Sequence, residues 1–253
     1  HLNLKDGLTE LGHKVDLASN GDGWKDIPRD IDLNYSKKWL PFKISNRVFP
    51  WVDLKKFKGY DIVQIISPDF IYRSFFPSKL FFSKIRKQNK KVFLLGAGSD
   101  SYFWKYGRKR LKYGSFDDTL KYDLKSAKHP SEREDYIELN KYIADSVDGI
   151  IPVMYEYEVS YRGHKNLLGT IPMPINTHKI KYSDNILEKK IVIFHGLNRY
   201  GFKGTRHVEE AFKILKEKYP DELEMIIDGH MPLETYLKFI KRTNIIIDQT
   251  NFY

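Results

Sequence analysis

Short apolar runs rich in branched residues recur along this chain, each followed by a stretch whose apolar residues fall at helical spacing. No other feature constrains the fold as much. YDIVQIIS leads to PSKLFFSKIRKQNK and then KVFLLGAGSD; further on, KKIVIFHG, a helical pattern from Thr205 to Lys218, ELEMIIDG, PLETYLKFIKR and NIIIDQ repeat the scheme. Strands joined through helices of this length run in the same direction, because the helix carries the chain back across the sheet. The expected class is therefore α/β, with parallel sheets of Rossmann type.

The first repeat begins partway through a unit. Leu2, Leu4, Leu8 and Leu11 make a helical stripe, Gly12 is the expected stop, and GHKVDLAS turns into a strand. A parallel sheet normally places a strand ahead of such a helix, so a preceding strand is expected outside these 253 residues. Tyr102 to Pro130, polar and aromatic-rich with Gly107 and Gly114, reads as a long loop with short helices. Glu132 to Ser146 is helical, ADSVDGIIPVM passes into a strand, and EYEVSYRGHKN is a short helix and turn. GTIPMPINTHKIKYSDN carries Pro172, Pro174 and Asp184-Asn185 and cannot be regular. The expected organisation is thus a first Rossmann-like domain over 1–175, a linker over 176–187 and a second domain over 188–253, the two domains facing across a cleft. Three strands follow the linker where a nucleotide-binding domain of this type usually has five or six, so the second domain is expected to be incomplete.

Composition narrows the function classes. Aromatic residues reach 15% and hydrophobic residues 41%, while mean hydropathy is -0.52, which suits a globular chain with a ring-rich interior. No stretch approaches the roughly 18 apolar residues of a membrane-spanning helix, and LNLKDGLTELGHKV mixes charges where a secretory signal carries an apolar block. The absence of cysteine excludes disulfides, thiolate metal sites and a cysteine nucleophile, and fits a cytoplasmic location. Net charge is +10, and residues through Leu187 carry 32 Lys and Arg against 23 Asp and Glu. A cationic first part suggests a surface that meets phosphate, of nucleic acid or of an anionic membrane leaflet on its inner face. FFPSKLFFSKIRKQNKK and YFWKYGRKRLKYG mix rings with Lys and Arg, which makes them candidates for a peripheral membrane, glycan or nucleic-acid face, the first having a core-packed helix as its alternative.

The strand-to-helix junction HGLNRYGFKGT concentrates the chemistry. In a parallel sheet, ligands bind beyond the carboxyl ends of the strands, where the next helix offers amide N–H groups. Gly196, Gly201 and Gly204 allow close backbone approach, Arg199 presents a planar fork, and Lys203 adds a compact charge beside Asn198. A pyrophosphate fits that arrangement. The segment is neither a GxxxxGKS loop nor a GxGxxG fingerprint, which argues against nucleotide hydrolysis and against NAD. No HExxH, DxD or clustered His/Asp/Glu set has metal spacing, so no metal and no resident cofactor are expected.

HGLNRYGFKG resembles the donor-phosphate segment of the retaining GT-B glycosyltransferases of the family 4-like kind. LKDGLTELGHKVDLAS is similar to the first helix and second strand of their acceptor domain, SVDGIIPVMYEY to its last strand and turn, IPMPINTHKI to their interdomain linker, and NIIIDQTNFY to the strand entering the donor-sugar loop. The resemblance implies that Arg199 and Lys203 contact a donor diphosphate, with Gly196, Asn198 and Gly204 close by. The family's Glu-x7-Glu element would follow Tyr253, and the glycine-rich turn before the first helix is likewise not in this sequence.

Further candidate contacts are His1 at the start of the first helix, Gly98 and Asp100 at a strand end in LLGAGSDS, His195 at the end of a buried strand, His230 in DGHMP, and Asp248. For Asp100 a sugar hydroxyl and a plain helix cap are equal alternatives, and for His195 a core histidine is the favoured one. The function expected is transfer of a sugar from a nucleotide diphosphate sugar to a lipid-linked or surface-polysaccharide acceptor. The alternatives are nucleotide-sugar epimerisation or phosphorolysis on the same fold, or a basic nucleic-acid-binding module, nucleic acid being the less favoured partner.

Overall fold

The structure, a computed structural model, describes residues 2–21, 28–35, 41–68, 76–182, 184–187 and 189–251. In chain order the elements are α1 (Leu2–Glu10), β1 (Ala18–Ser19), β2 (Ile31–Asp32), α2 (Phe42–Asp53), β3 (Ile62–Ile65), α3 (Ser78–Lys87), β4 (Lys91–Gly96), α4 (Arg108–Arg110), α5 (Phe116–Asp118), α6 (Glu134–Ser146), β5 (Gly149–Pro152) and α7 (Tyr155–Tyr161). They continue with β6 (Ile191–Gly196), α8 (Tyr200–Lys203), α9 (Thr205–Lys218), β7 (Leu223–Asp228), α10 (Leu233–Arg242) and β8 (Ile245–Ile247). Wide helical turns at Phe103–Gly107 and Thr119–Leu124 adjoin α4 and α5.

Every strand pair among the described residues is parallel, as the strand-helix alternation requires. The chain is α/β. Its elements form two compact units, one made of His1–Leu111 with Pro130–Thr177 and the other of Lys112–His129 with His178–Tyr253.

In the first unit β4 lies between β3 and β5, with Leu94 opposite Ile65 and Ile150. Its core is ring-rich: Phe76, Phe81, Phe82 and Tyr161 pack with Ile85, Val92, Leu94, Ile143 and Ile150. Each such side chain, fully buried, stabilises the fold by about 1.5–3 kcal/mol. α3 shows how the sequence achieves this. Phe81, Phe82 and Ile85 recur at helical spacing on one face, while Lys84, Arg86 and Lys87 crowd the last turn, where they favour the helix dipole.

In the second unit β6 is central, flanked by β7 and β8, with His195 opposite both Ile227 and Ile247. α9 lays Val208 and Phe212 against Ile193 of β6.

Several expectations need correction. The strand expected from GHKVDLAS reduces to Ala18–Ser19, paired with Ile31–Asp32, and Leu11 is exposed beyond the end of α1. α2 was not expected, because Pro50 within it disguises the helical pattern. Residues 112–129, placed by sequence in the first domain, pack with the second unit instead. The cause is local: Phe116 and Leu120 are buried there, and the carboxylates of Asp118 and Asp123 bond to α8, α9 and Asn251. The rings of the two basic-aromatic stretches are mostly core, since Phe76, Phe81, Phe82, Phe103 and Trp104 are all buried.

Candidate functional site

The carboxyl end of β6 is where the second unit gathers its polar chemistry. Val192, Ile193, Phe194 and His195 are buried, so the strand is anchored along its length. The chain then leaves the sheet through Leu197 and Asn198, turns at Arg199, makes the single-turn α8 and enters α9 after Gly204. Gly204 has a φ of +67°, and a Cβ there would lie 2.1 Å from Thr250 Oγ1. Both conditions select glycine. Thr250 completes the seam from the β8 side, its amide donating to the Lys203 carbonyl at 3.1 Å.

The anion at this junction is supplied by the chain itself. The amides of Gly201 and Phe202 each donate to a carboxylate oxygen of Asp123, both at 2.8 Å. A carboxylate accepting two amide hydrogens at the start of a helix is the arrangement by which such ends hold phosphate. Asp118 lies alongside and accepts from Arg206 Nε at 3.0 Å and from Asn251 Nδ2 at 3.1 Å. The expected use of Gly201 is thereby corrected. A Cβ at this position would lie 2.1 Å from the Asp118 carbonyl oxygen, so the glycine admits residues 112–129 rather than a ligand.

Both expected cations have partners. Lys203 Nζ pairs with Asp248 Oδ1 at 2.6 Å, the lysine side chain being 14% exposed and the carboxylate 71%. The Arg199 guanidinium carbon stands 3.5 Å from the centre of the Phe202 ring, a cation-π contact on the same turn. Tyr200 donates to Glu209 at 2.6 Å, and that bond, with burial, pushes its hydroxyl pKa up to about 12. Gly196 is under no steric demand, since a Cβ there would meet only ordinary contacts.

An open cavity of about 340 Å³ lies beside this junction, lined by Leu197, Asn198, Tyr200, Ile227, Asp228, Gly229 and His230 at the ends of β6 and β7. His230 has a φ of +55° and belongs to this lining. His195 does not reach it. That ring is fully buried, with Nδ1 2.8 Å from the Ile247 carbonyl and Nε2 2.9 Å from Thr205 Oγ1. A carbonyl can only accept, so Nδ1 carries a proton in that bond, while Nε2 bonds with the threonine hydroxyl. His195 is a structural tie between β6, β8 and α9, not a ligand contact.

The first-unit candidates separate in the same way. Asp100 is 2% exposed, accepting from the Phe103 amide at 2.9 Å and from the Tyr161 hydroxyl at 2.5 Å. Burial, opposed by these bonds, raises its pKa to about 6. The helix-cap alternative is therefore the right one, and a sugar hydroxyl has no access to this carboxyl. The Gly98 carbonyl accepts the Asp100 amide at 2.8 Å and shapes the same turn. His1 lies outside the described residues.

Sequence reading missed Asp118, Asp123, Thr250 and Asn251. The one available signal was the acidic SFDDTLKYD within an otherwise basic stretch. Among the described residues no group of three or more His, Asp or Glu is placed to hold a metal ion, and no helix is long and apolar enough to cross a membrane. No protein-family model matches the chain, and no curated protein does either.

Proposed function

We propose that this chain belongs to a retaining GT-B glycosyltransferase of the family 4-like kind, with the second unit holding a nucleotide diphosphate sugar and the first serving a lipid-linked or surface-polysaccharide acceptor. The observation that carries the reading is that Arg199, Lys203 and the Gly204 turn belong to the same short segment as Asn198 and Tyr200, which line an open cavity at the carboxyl end of the central strand. At about 340 Å³ the cavity falls within the usual range for small-molecule sites, and Asn198 and His230 supply polar edges to it.

The pairing of Lys203 with Asp248 does not close the site to a donor. An ion pair with so exposed a carboxylate contributes under about 1 kcal/mol, and a diphosphate brings more charge to the same ammonium. In this reading Lys203 exchanges Asp248 for the donor diphosphate and Arg199 adds a forked contact. The two cations then stabilise the charge that grows on the leaving diphosphate as the sugar is transferred. Asp123 keeps α8 in place through its two amides and leaves the side chains of that turn to the ligand.

The test is calorimetric titration and thermal shift with UDP, GDP and ADP. A nucleotide in hundredfold excess over its Kd stabilises the binding unit by about 2.7 kcal/mol. Arg199→Ala and Lys203→Ala should remove the shift, whereas Asp248→Asn should tighten binding by removing the competing carboxylate. Flat responses to all three nucleotides in the unaltered protein would sink the reading.

A further inference from the structure

α2 in the first unit is amphipathic in an unusual sense, because its outward face is itself apolar. Its inner side is well occupied: Ser45 and Asp53 are buried, Phe49 stacks on Tyr35 with ring centres 5.9 Å apart, and Trp51 packs against Phe76 and Phe81. Outside, Ile44, Val48 and Val52 are 46%, 44% and 50% exposed. Their spacing of four residues puts them one above another in a single ridge along the helix. Scattered exposed apolar residues are ordinary on a protein surface, but an aligned ridge of three is a contact surface.

The charges beside the ridge say what it contacts. Residues 43 to 58 contain Lys43, Arg47, Lys55, Lys56 and Lys58 against the single acid Asp53. That carboxylate is turned inward, where it accepts from the Tyr35 hydroxyl at 3.0 Å and pairs with Lys56 at 2.8 Å. Lys43 and Arg47 stand one residue before Ile44 and Val48, along one border of the ridge, and both are exposed. Lys55 and Lys58 are exposed just past its carboxyl end. A protein groove would call for complementary shape. A flat apolar ridge bordered by cations matches instead the boundary between anionic lipid headgroups and acyl chains.

We infer that α2 is a membrane-docking helix, which lies in the plane of an anionic bilayer with Ile44, Val48 and Val52 entering the acyl boundary and Lys43, Arg47, Lys55 and Lys58 among the headgroups. Phe76, Phe81, Phe82, Phe103 and Trp104 of the sequence's two most basic-aromatic stretches lie in the core, so those rings do not supply the inserting surface. The inference stands independently of nucleotide binding in the second unit.

Vesicle flotation with the full chain tests it, using phosphatidylcholine alone and phosphatidylcholine mixed with phosphatidylglycerol. The chain should float with the anionic vesicles, release at high salt and stay behind with the neutral ones. Lys43→Gln and Arg47→Gln should each weaken binding about fivefold. Val48→Glu should weaken it by on the order of tenfold or more. Lys216→Gln, an equal charge change on α9, should leave it unchanged. All four positions are exposed, so thermal midpoints should match the unaltered chain. Failure to bind anionic vesicles, or equal losses from Lys216→Gln and Val48→Glu, would overturn the inference. So would a dimer that Val48→Glu dissociates in sedimentation without any vesicle binding, which would assign the ridge to a second copy of the chain.

Discussion

β4 and β6 occupy equivalent places, each the middle strand of a three-stranded parallel sheet, yet the polar groups past their carboxyl ends are used in opposite ways. Beyond β4, Asp100 is buried beside the stacked rings of Tyr102 and Tyr161, whose centres are 4.7 Å apart, and burial pushes its pKa up to about 6. Beyond β6, Asp123, Asp118 and Asp248 engage amides and cations, and an open cavity adjoins them. In the order β7-β6-β8 the strand order reverses about β6, the kind of switch point at which a parallel sheet leaves a crevice, whereas β3-β4-β5 runs in sequence. The residues of the following turn add to that difference. Rings after β4 bury an acid among packed side chains, whereas Asn198 and two cations after β6 leave that end polar and charged.

The sharpest break in that comparison comes from glycine substitutions on the β6 side. Gly201→Ala drives a methyl group into the Asp118 backbone and should destabilise the second unit by about 3 kcal/mol or more, seen as a lower urea midpoint. Gly196→Ala should be tolerated within about 1 kcal/mol. Equal effects would mean that residues 112–129 do not hold to α8.

On the β4 side the probe is pH. Folded Asp100 stays protonated to about pH 6, whereas an unfolded aspartate ionises near its ordinary value of 3.8, so between those values the folded state holds the extra proton. Its contribution to stability is therefore greatest below about pH 4 and is lost as pH rises towards 6. The total change is on the order of 3 kcal/mol. The difference in unfolding free energy between the unaltered protein and Asp100→Asn should follow that curve and flatten above pH 6. A difference independent of pH would show that the carboxyl is solvated.

A smaller effect is expected from Asp123→Ala, which frees the two α8 amides at a cost of about 1–2 kcal/mol. Hydrogen exchange at Gly201 and Phe202 should quicken while exchange in β4 stays unchanged. Smallest is Asp248→Asn, which should shift stability by less than about 0.5 kcal/mol because the Asp248 carboxylate is mostly in water.

Much of the framework was legible from periodicity. α3, β4, α6, β5, β6, α9, β7, α10 and β8 lie where apolar runs and helical stripes put them, since in those segments local pattern and burial agree. The make-up of the junction was legible. Arg199, Lys203 and Gly204 share one short segment with Asn198, which lines the cavity, because residues adjacent in sequence need no distant partner to be adjacent in space. Asp123 was not legible in this role, for it lies 78 residues from Gly201 and reads as one more acid in a loop.

The amino-acid order by itself determined the parallel strand-helix alternation and the placing of a glycine-rich segment with two cations after β6. Tertiary structure alone decided that Asp123 caps α8, that Asp248 holds Lys203, and that Asp100 and His195 are core groups rather than contacts. The physical reason is range. Helical and strand preferences act over a few residues and leave their period in the sequence, whereas a carboxylate meets an amide dozens of residues away only after the whole chain has packed.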